Sequence, residues 1–265
     1  MKTAPATVPG GRGRRLLGHV LAPLLAAGAT ALHAQSTQAA DASVYFLMPK
    51  VSQGEREIDW HAGVGSAGAT TPHEQDMGLG LGYGVSSHWY TELAVQYRRK
   101  SLAGTALDAV EWENILVFAE PNEWPVDLGL VIDLEQPRDT AEGTAVRVGA
   151  LLQKEWGRFQ GNANLLLGRH FQSSEFLATQ IHYQAQFKYR YSRPLEFGVQ
   201  AFGNLGSSAH AVAAYADQIH RLGPVLLGRT PLPGERSLSY NAALLFGISA
   251  HSPDRTLRVQ IEYEF

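Results

Sequence analysis

Apolar residues alternate with polar or small ones along much of the chain. The pattern is clearest in residues 255–265. There the apolar positions are Leu257, Val259, Ile261, Tyr263 and Phe265, and charged or amide side chains occupy the positions between them. Because successive side chains of a strand point to opposite faces, a period of two predicts a β-strand with one apolar face and one polar face.

Twelve segments show this alternation, and many of them are ten to twelve residues long. They cover residues 56–65, 76–86, 89–98, 108–119, 125–136, 144–155, 158–170, 180–191, 194–203, 218–228, 237–249 and 255–265. Strands of this length suit a tilted crossing of a bilayer, whereas strands in soluble sandwiches are usually about 5–6 residues long. We therefore expect an all-β fold, a closed antiparallel transmembrane barrel of about twelve strands. A soluble sandwich is the alternative.

The connections between these segments alternate in length. The short ones are residues 87–88, 157, 192–193 and, roughly, 121–123, and the longer ones are 66–75, 99–107, 137–143, 171–179 and 204–217. Short periplasmic turns and longer external loops are typical of outer-membrane barrels, so this phase predicts periplasmic N- and C-termini. Residues 229–236 are long for such a turn, and residues 250–254 are short for such a loop.

The first residues have the features of an export signal. A basic start leads into a short, interrupted apolar run that ends near Ala34, which is too short for a spanning helix. We expect a signal peptide at 1–34, a periplasmic or plugging extension at 35–55 and a barrel domain at 56–265. Cleavage of the signal would leave the mature chain in the bacterial outer membrane.

Charge and composition narrow the possible partners. Residues 1–34 hold four of the 22 basic residues and none of the 25 acidic ones, which leaves a net charge of −7 for the remainder. An acidic chain is a poor partner for nucleic acid, whose phosphates need a basic surface. With no cysteine, disulfides and thiolate metal sites are excluded. We expect no cofactor and no metal.

Glycine patterns indicate space rather than nucleotide binding. Residues 63–68 have the spacing of a dinucleotide-binding loop, but Pro72 soon follows and no helix is predicted to hold a pyrophosphate. Glycines at 78, 80, 82 and 84 line one face of a predicted strand. Such a bare inner wall would accommodate large side chains, a plug or a solute.

Catalytic motifs are absent from the sequence. There is no G-x-S-x-G element, and Ser87 and His88 are adjacent in a predicted turn, where we expect their side chains to point apart. His182 is expected to face the lumen among glutamines, and His220 shows no metal-ligand spacing. We expect no enzyme activity, and a lipase or deacylase remains the less favoured hypothesis.

The polar faces of the predicted strands define a lumen. The candidate lumen-lining residues are Glu92, Arg98, Glu111, Glu113, Asp127, Asp133, Arg147, His182, Lys188 and Arg190. They favour a monomeric channel or transporter for small polar or amphipathic solutes through a slightly acidic passage. The alternative is a closed structural or adhesion barrel that binds partners through external loops. Residues 205–218 are expected to form a short helix at the mouth.

The C-terminus resembles the signal that the bacterial barrel-assembly machinery reads. Arg258 matches its polar opening position, and Tyr263 and Phe265 match its last two hydrophobic or aromatic positions. Gln260 stands where glycine is usual. The resemblance implies that this machinery inserts the chain into the lipid of a Gram-negative outer membrane.

The rest of the chain also resembles a known group of barrels. These are outer-membrane barrels classed as transporters, including the group named after the MetA pathway of phenol degradation. The stretches that carry the resemblance are residues 50–57, 82–85, 111–114 and 220–224. The resemblance implies a transport function.

Overall fold

The computed structural model describes residues 41–68, 73–99, 104–208 and 215–265. The predicted signal peptide at 1–34 and residues 35–40 of the predicted extension lie outside the described residues. Within the described ranges, no helix has the length and apolar character needed to cross a membrane.

The chain forms a closed antiparallel barrel, in which each strand pairs with its sequence neighbours and the first pairs with the last. The strands are β1 (Arg56–Gly65), β2 (Glu74–Ser86), β3 (Trp89–Arg99), β4 (Thr105–Val117), β5 (Asp127–Pro137), β6 (Thr144–Trp156), β7 (Phe159–Phe171), β8 (Gln180–Ser192), β9 (Leu195–Ser207), β10 (Ile219–Leu232), β11 (Arg236–Gly247) and β12 (Arg255–Glu264). The predicted fold class is confirmed, and closure leaves no unpaired sheet edge.

Two connections at one rim of the barrel differ from the predicted ones. We call the rim that carries Arg56 and Glu264 the terminal end and the opposite rim the loop end. Strand β10 continues to Leu232, so the sequence-based boundary of a long 229–236 turn is wrong, and only residues 233–235 join it to β11. Residues 118–126 form a longer connection at the same end, so the prediction of a short turn at 121–123 is wrong.

The barrel is apolar outside and polar inside, the reverse of a soluble protein. Leu81 and Leu93 face outward and are 65% and 58% exposed, whereas Asp133 and Gln200 face inward and are 1% and 0% exposed. Exposed aromatic side chains near the terminal end are Trp89, Trp156, Phe159, Tyr191 and Phe265. An apolar belt with aromatic residues near its rim suits the surface that a bilayer requires.

Pro224 stands inside strand β10 without a bulge. It lies opposite Val199 of β9, and the register toward β11 is the same before and after it, with Val225 opposite Ala243. Its ring is exposed on the outer face. The strand therefore tolerates the missing N–H by leaving two positions of the β11 ladder, Gly223 and Pro224, unpaired.

The mouth region differs from the expected short helix at 205–218. Strand β9 continues to Ser207, and a single 3₁₀ turn spans Tyr215–Asp217. Residues 209–214 lie outside the described residues. Pairing with β8, in which Ser207 lies opposite Gln180, extends the wall beyond the predicted boundary.

Candidate functional site

An extended N-terminal segment lies inside the barrel. We call residues 41–51 the plug; it precedes β1 and forms no strand of the wall. Near the loop end, Asp41 Oδ2 is 3.8 Å from Arg98 Nη2. Near the terminal end, the Gly54 N–H donates to the Gly84 carbonyl at 2.7 Å. The chain thus passes along the lumen from the loop end to the terminal end and then turns into β1.

Two amide side chains of the wall hold the plug backbone. Gln184 of β8 accepts from the Leu47 N–H at 3.1 Å and donates to the Tyr45 carbonyl at 3.0 Å. Asn164 of β7 donates to the Leu47 carbonyl and to the Gln184 side-chain oxygen, each at 2.8 Å. Buried backbone groups must find partners, and here side chains supply them in place of a neighbouring strand.

Arg258 of β12 is a further plug contact and is 1% exposed. Its guanidinium donates to the Val44 carbonyl at 2.8 Å, to Gln200 at 2.5 Å and to Asn241 at 3.2 Å. It also lies 5.1 Å above the Phe202 ring. The residue that sequence reasoning assigned to the assembly signal is therefore also part of the lumen.

The side chains of the plug pack against opposite walls. Val44 and Phe46, with Met48, form one apolar cluster whose wall residues are Phe202, Val225, Ala243, Leu245 and Leu227. Leu47, with Tyr45 and Val51, forms a second cluster whose wall residues are Tyr90, Ile115, Val117, Val131, Leu151 and Leu166. Alternate residues of an extended chain point to opposite sides, so the plug has two apolar faces and the lumen has an apolar patch for each.

Polar contacts anchor the plug at the loop end. The Ala42 N–H donates to Asp76 at 3.1 Å, and Arg221 donates to the Asp41 carbonyl at 3.0 Å. Arg98 joins this group through an ion pair with Asp76 at 2.8 Å. Arg98, predicted to line the lumen, therefore helps to bind the plug.

Tyr45 connects the plug to the acidic wall. Its hydroxyl donates to Glu113 at 2.9 Å, and its ring centroid is 4.8 Å from that of His61. His61 in turn lies 2.7 Å from Asp59 through its Nδ1 atom. Glu113, a predicted lumen residue, is thus occupied by the plug.

Glycines of the wall mark the path of the plug. A Cβ atom on Gly63 would overlap the Ala42 carbonyl, and one on Gly84 would overlap the Ser52 carbonyl. Only a residue without a side chain allows the backbones to approach this closely.

The glycine row of β2 serves a second purpose. Cβ atoms at positions 78, 80 and 82 would meet the side chains of His61, Glu92 and Tyr90, respectively. The space that the sequence predicted is therefore filled by large inward side chains along most of the row and by the chain after the plug at Gly84.

Charged residues of the wall pair with one another. Arg147 forms ion pairs with Glu111, at 2.7 Å, and with Asp133. Lys188 pairs with Glu196 at 2.7 Å. Asp133 and Glu196 lie on strands next to those of their partners, whereas Arg147 reaches Glu111 across β5. All these pairs form in a polar interior, where unpaired charges would be costly.

The remaining predicted lumen residues are also bonded or enclosed. Arg190 pairs with Glu155 at 2.7 Å, and Glu92 accepts from Tyr90 at 2.6 Å. Asp127 accepts from the Asn122 N–H at 2.7 Å, and His182 is 5% exposed. The ten candidates are thus spread along the lumen rather than gathered in one catalytic group.

Open space remains around the plug. A cavity of about 290 Å³ lies toward the terminal end, where Met48 and Lys50 face Lys188, Arg190 and Glu262. A second cavity of about 90 Å³ is lined by Tyr45, Leu47 and mostly acidic wall residues, and a third of about 30 Å³ lies beside Ser43. The plug lines every one of these cavities.

Three carboxylates meet where the plug joins the wall. Glu55, Glu57 and Glu264 place one oxygen each within 4.8 Å of one another. Burial raises the pKa of Glu55, and the neighbouring Glu264 raises it further. Arg229 pairs with Glu264, and Tyr90 donates to Glu57, so the group is compensated by side chains of the wall.

The residues considered for catalysis do not converge. Ser87 Oγ lies 2.8 Å from His88 Nδ1, so the expectation that these side chains point apart is wrong. In the turn, His88 is exposed and Ser87 is half-buried. His182 lies in the wall, and His220 contacts Tyr183 and Gln218 near the loop end. Nucleophile and base need a third group that orients the base. Among the described residues, Ser86 and Val117 bond to the backbone of His88 and not to its ring.

The sequence did not predict that Gln184 and Asn164 bind the plug, because glutamine and asparagine are common on the polar face of a strand. A signal for the apolar patches was present. Val131, Leu151, Leu166 and Leu245 occupy inward positions where strict alternation would place polar residues, and all four are fully buried. Apolar residues on the inner face of a barrel indicate that something apolar fills it.

Comparison with known proteins supports the fold and goes no further. No protein-family model and no curated protein matches the chain. Among solved structures, it is similar to the NanC porin, with 11% identity over 78% of this chain and 98% of that one and a TM-score of 0.53. It is also similar to the β-domain of the Bordetella autotransporter BrkA, with 14% identity over 81% and 99% of the two chains and a TM-score of 0.48.

Proposed function

We propose that this protein is an outer-membrane channel for small polar or amphipathic solutes and that the plug is its gate. The observation that carries the proposal is the way in which the plug is held. Its backbone bonds to the wall through side chains, and cavities of about 290 and 90 Å³ adjoin it. A segment outside the strand ladder can leave without breaking the barrel.

The biological setting is part of the same proposal. The chain would be a monomer in outer-membrane lipid with periplasmic termini, inserted by the barrel-assembly machinery through Arg258, Tyr263 and Phe265. We retain the transporter group of the MetA pathway as its proposed kinship. We also propose that it has no enzyme activity.

Planar-bilayer recordings test the gate. The full chain should open rarely, whereas a variant that lacks residues 41–51 should conduct steadily. A second variant, Phe46→Asp with Leu47→Asp, keeps the chain length and should behave like the deletion. Absence of conductance from both folded variants would contradict the proposal.

A closed adhesion barrel is the second candidate, and one surface feature favours it. Phe176, in the loop between β7 and β8, is 81% exposed, and Arg169 lies 5.7 Å from its ring. An exposed aromatic residue beside a cation is a common protein-binding element. In that case Phe176→Ser should abolish cell binding, and removal of the plug should change nothing in bilayers.

A further inference from the structure

The plug is bound in the way that receptors bind extended peptides. Gln184 contacts the Tyr45 carbonyl and the Leu47 N–H, the two backbone groups that flank Phe46. A neighbouring β-strand would contact the same pair of groups. The side-chain amide thus takes the place of a strand and recognises the backbone of its ligand rather than its sequence.

Side-chain selection comes from the two apolar patches. Phe46 enters the patch formed by β9, β10 and β11, and its ring centroid is 6.1 Å from that of Phe202. Leu47 enters the patch formed by β3 to β7, where it is 2% exposed. These patches suit aliphatic or aromatic side chains on consecutive residues of an extended chain, because successive side chains point to opposite patches.

No strand pairing ties this ligand to its site. Among the described residues, the hydrogen bonds that join a backbone group of residues 41–51 to another backbone group are internal to the plug. They run from the Val44 N–H to the Asp41 carbonyl and from the Lys50 N–H to the Met48 carbonyl. Backbone pairing with the wall begins at Gly54. The preceding residues Ser52 and Gln53 are exposed. The bound segment is therefore attached to the barrel by a short accessible tether.

From these contacts we infer that the lumen is a binding site for extended peptides whose consecutive apolar side chains point to opposite walls, and that the plug is its tethered, replaceable occupant. The inference rests on the proposed channel, because it names the solute class of the same lumen. Backbone recognition by Gln184, Asn164 and Arg258 makes the site tolerant of sequence. The two patches require apolar residues at the positions that correspond to Phe46 and Leu47.

The test uses a barrel that folds with its plug in place. A specific protease site between Ser52 and Gln53 allows the tether to be cut after folding. A fluorescent peptide with the sequence of residues 41–51 is then titrated against the cut protein, and its anisotropy is measured. We expect saturable binding that competes with the cut plug. The same peptide should close the conductance that appears when the plug is diluted away.

Matched controls distinguish specific binding of the peptide from nonspecific hydrophobic binding. A peptide with aspartate in place of both Phe46 and Leu47, and a scrambled peptide, should bind at least tenfold more weakly. Gln184→Ala should weaken binding of the native peptide about tenfold, because a buried amide contributes two hydrogen bonds. Gln186→Ala, on the same inward face of β8 but bonded to Gln200, should leave binding unchanged.

The outcomes distinguish the two proposals. Equal binding of native and scrambled peptides, or no binding, by a cut barrel that conducts would overturn the peptide site and leave the channel standing. Specific binding by a cut barrel that never conducts would support the peptide site and contradict the channel. The variant without residues 41–51 provides a second protein for both measurements.

Discussion

The plug and strand β8 are both extended chains with alternating side chains, yet the barrel holds them differently. Strand β8 pairs with β7 and β9 along most of its length through backbone hydrogen bonds. The plug lies inside the barrel, and its backbone bonds to side chains of the wall: the Leu47 N–H donates to Gln184, and Asn164 donates to the Leu47 carbonyl. Breaking one wall strand breaks the closed ladder, whereas losing the plug breaks only side-chain contacts.

The plug and β8 also differ in polarity: β8 has one polar and one apolar face, whereas both faces of the plug are apolar. Inward residues of β8, such as Gln184 and Lys188, are polar and buried. Its outward residues, such as Phe187, are exposed on the outer surface of the barrel, where the bilayer would lie. The plug is apolar on both sides, and Phe46 and Leu47 are both buried. A wall strand is adapted to lipid and water, whereas the plug is adapted to two apolar patches in a polar lumen. This contrast is what identifies the plug as a ligand of the barrel.

The largest expected change in channel opening comes from replacing apolar side chains of the plug by charged ones. Phe46→Asp with Leu47→Asp would bury two unpaired charges, which is strongly unfavourable. We expect the channel to change from mostly closed to mostly open in bilayer recordings. Gln53→Asp adds a charge to the exposed tether and should leave opening unchanged. A mostly closed double variant would show that apolar packing does not hold the plug.

The next effect tests the close approach of plug and wall. Gly63→Ala would force its Cβ against the Ala42 carbonyl, whereas Gly65→Ala would make ordinary contacts, the nearest at 3.6 Å to Glu74. Overpacking costs about 1–3 kcal/mol, so Gly63→Ala should raise the open probability roughly tenfold. Similar open probabilities in the two variants would contradict the position of the plug near the loop end.

A smaller effect is expected from one wall amide. Asn164→Ala removes the hydrogen bond to the Leu47 carbonyl, which contributes about 1 kcal/mol. The open probability should rise about fivefold. Asn162→Ala, on the same face of β7 but bonded to Gln153 and Gln160, should change it little. Equal effects would mean that Asn164 acts on the wall rather than on the plug.

The smallest effect concerns pH at Glu55, which follows the tether. Because burial and Glu264 raise the pKa of Glu55 above its usual 4.5, the closed protein binds a proton there more tightly than a state in which Glu55 is exposed. The contribution of Glu55 to closure is therefore complete below about pH 4.5 and is lost as the pH rises through the raised pKa. Glu55→Gln should remove part of the increase in opening between pH 4.5 and 8. An unchanged pH profile in that variant would exclude Glu55.

The wall could be predicted from the sequence, and the plug only in part. Alternation determines a strand that faces lipid on one side, and residues 255–265 were placed correctly by that pattern alone. The plug was ambiguous because residues 44–48 form an apolar run without alternation of polarity. Its position depends on partners far away in the chain, such as Asn164 and Gln184, whose roles no local pattern reveals. Turn boundaries such as that of β10 moved because strand pairing extends beyond the apolar pattern.

The most direct test of the gate is to lock the plug in place. The chain has no cysteine, so Tyr45→Cys with His61→Cys introduces the only two thiols, at positions whose rings lie 4.8 Å apart. A short, cleavable bis-thiol reagent joins them, and conductance is recorded before linking, after linking and after cleavage of the linker. We expect openings to disappear on linking and to return on cleavage. Openings that persist with the plug linked to β1 would contradict the account.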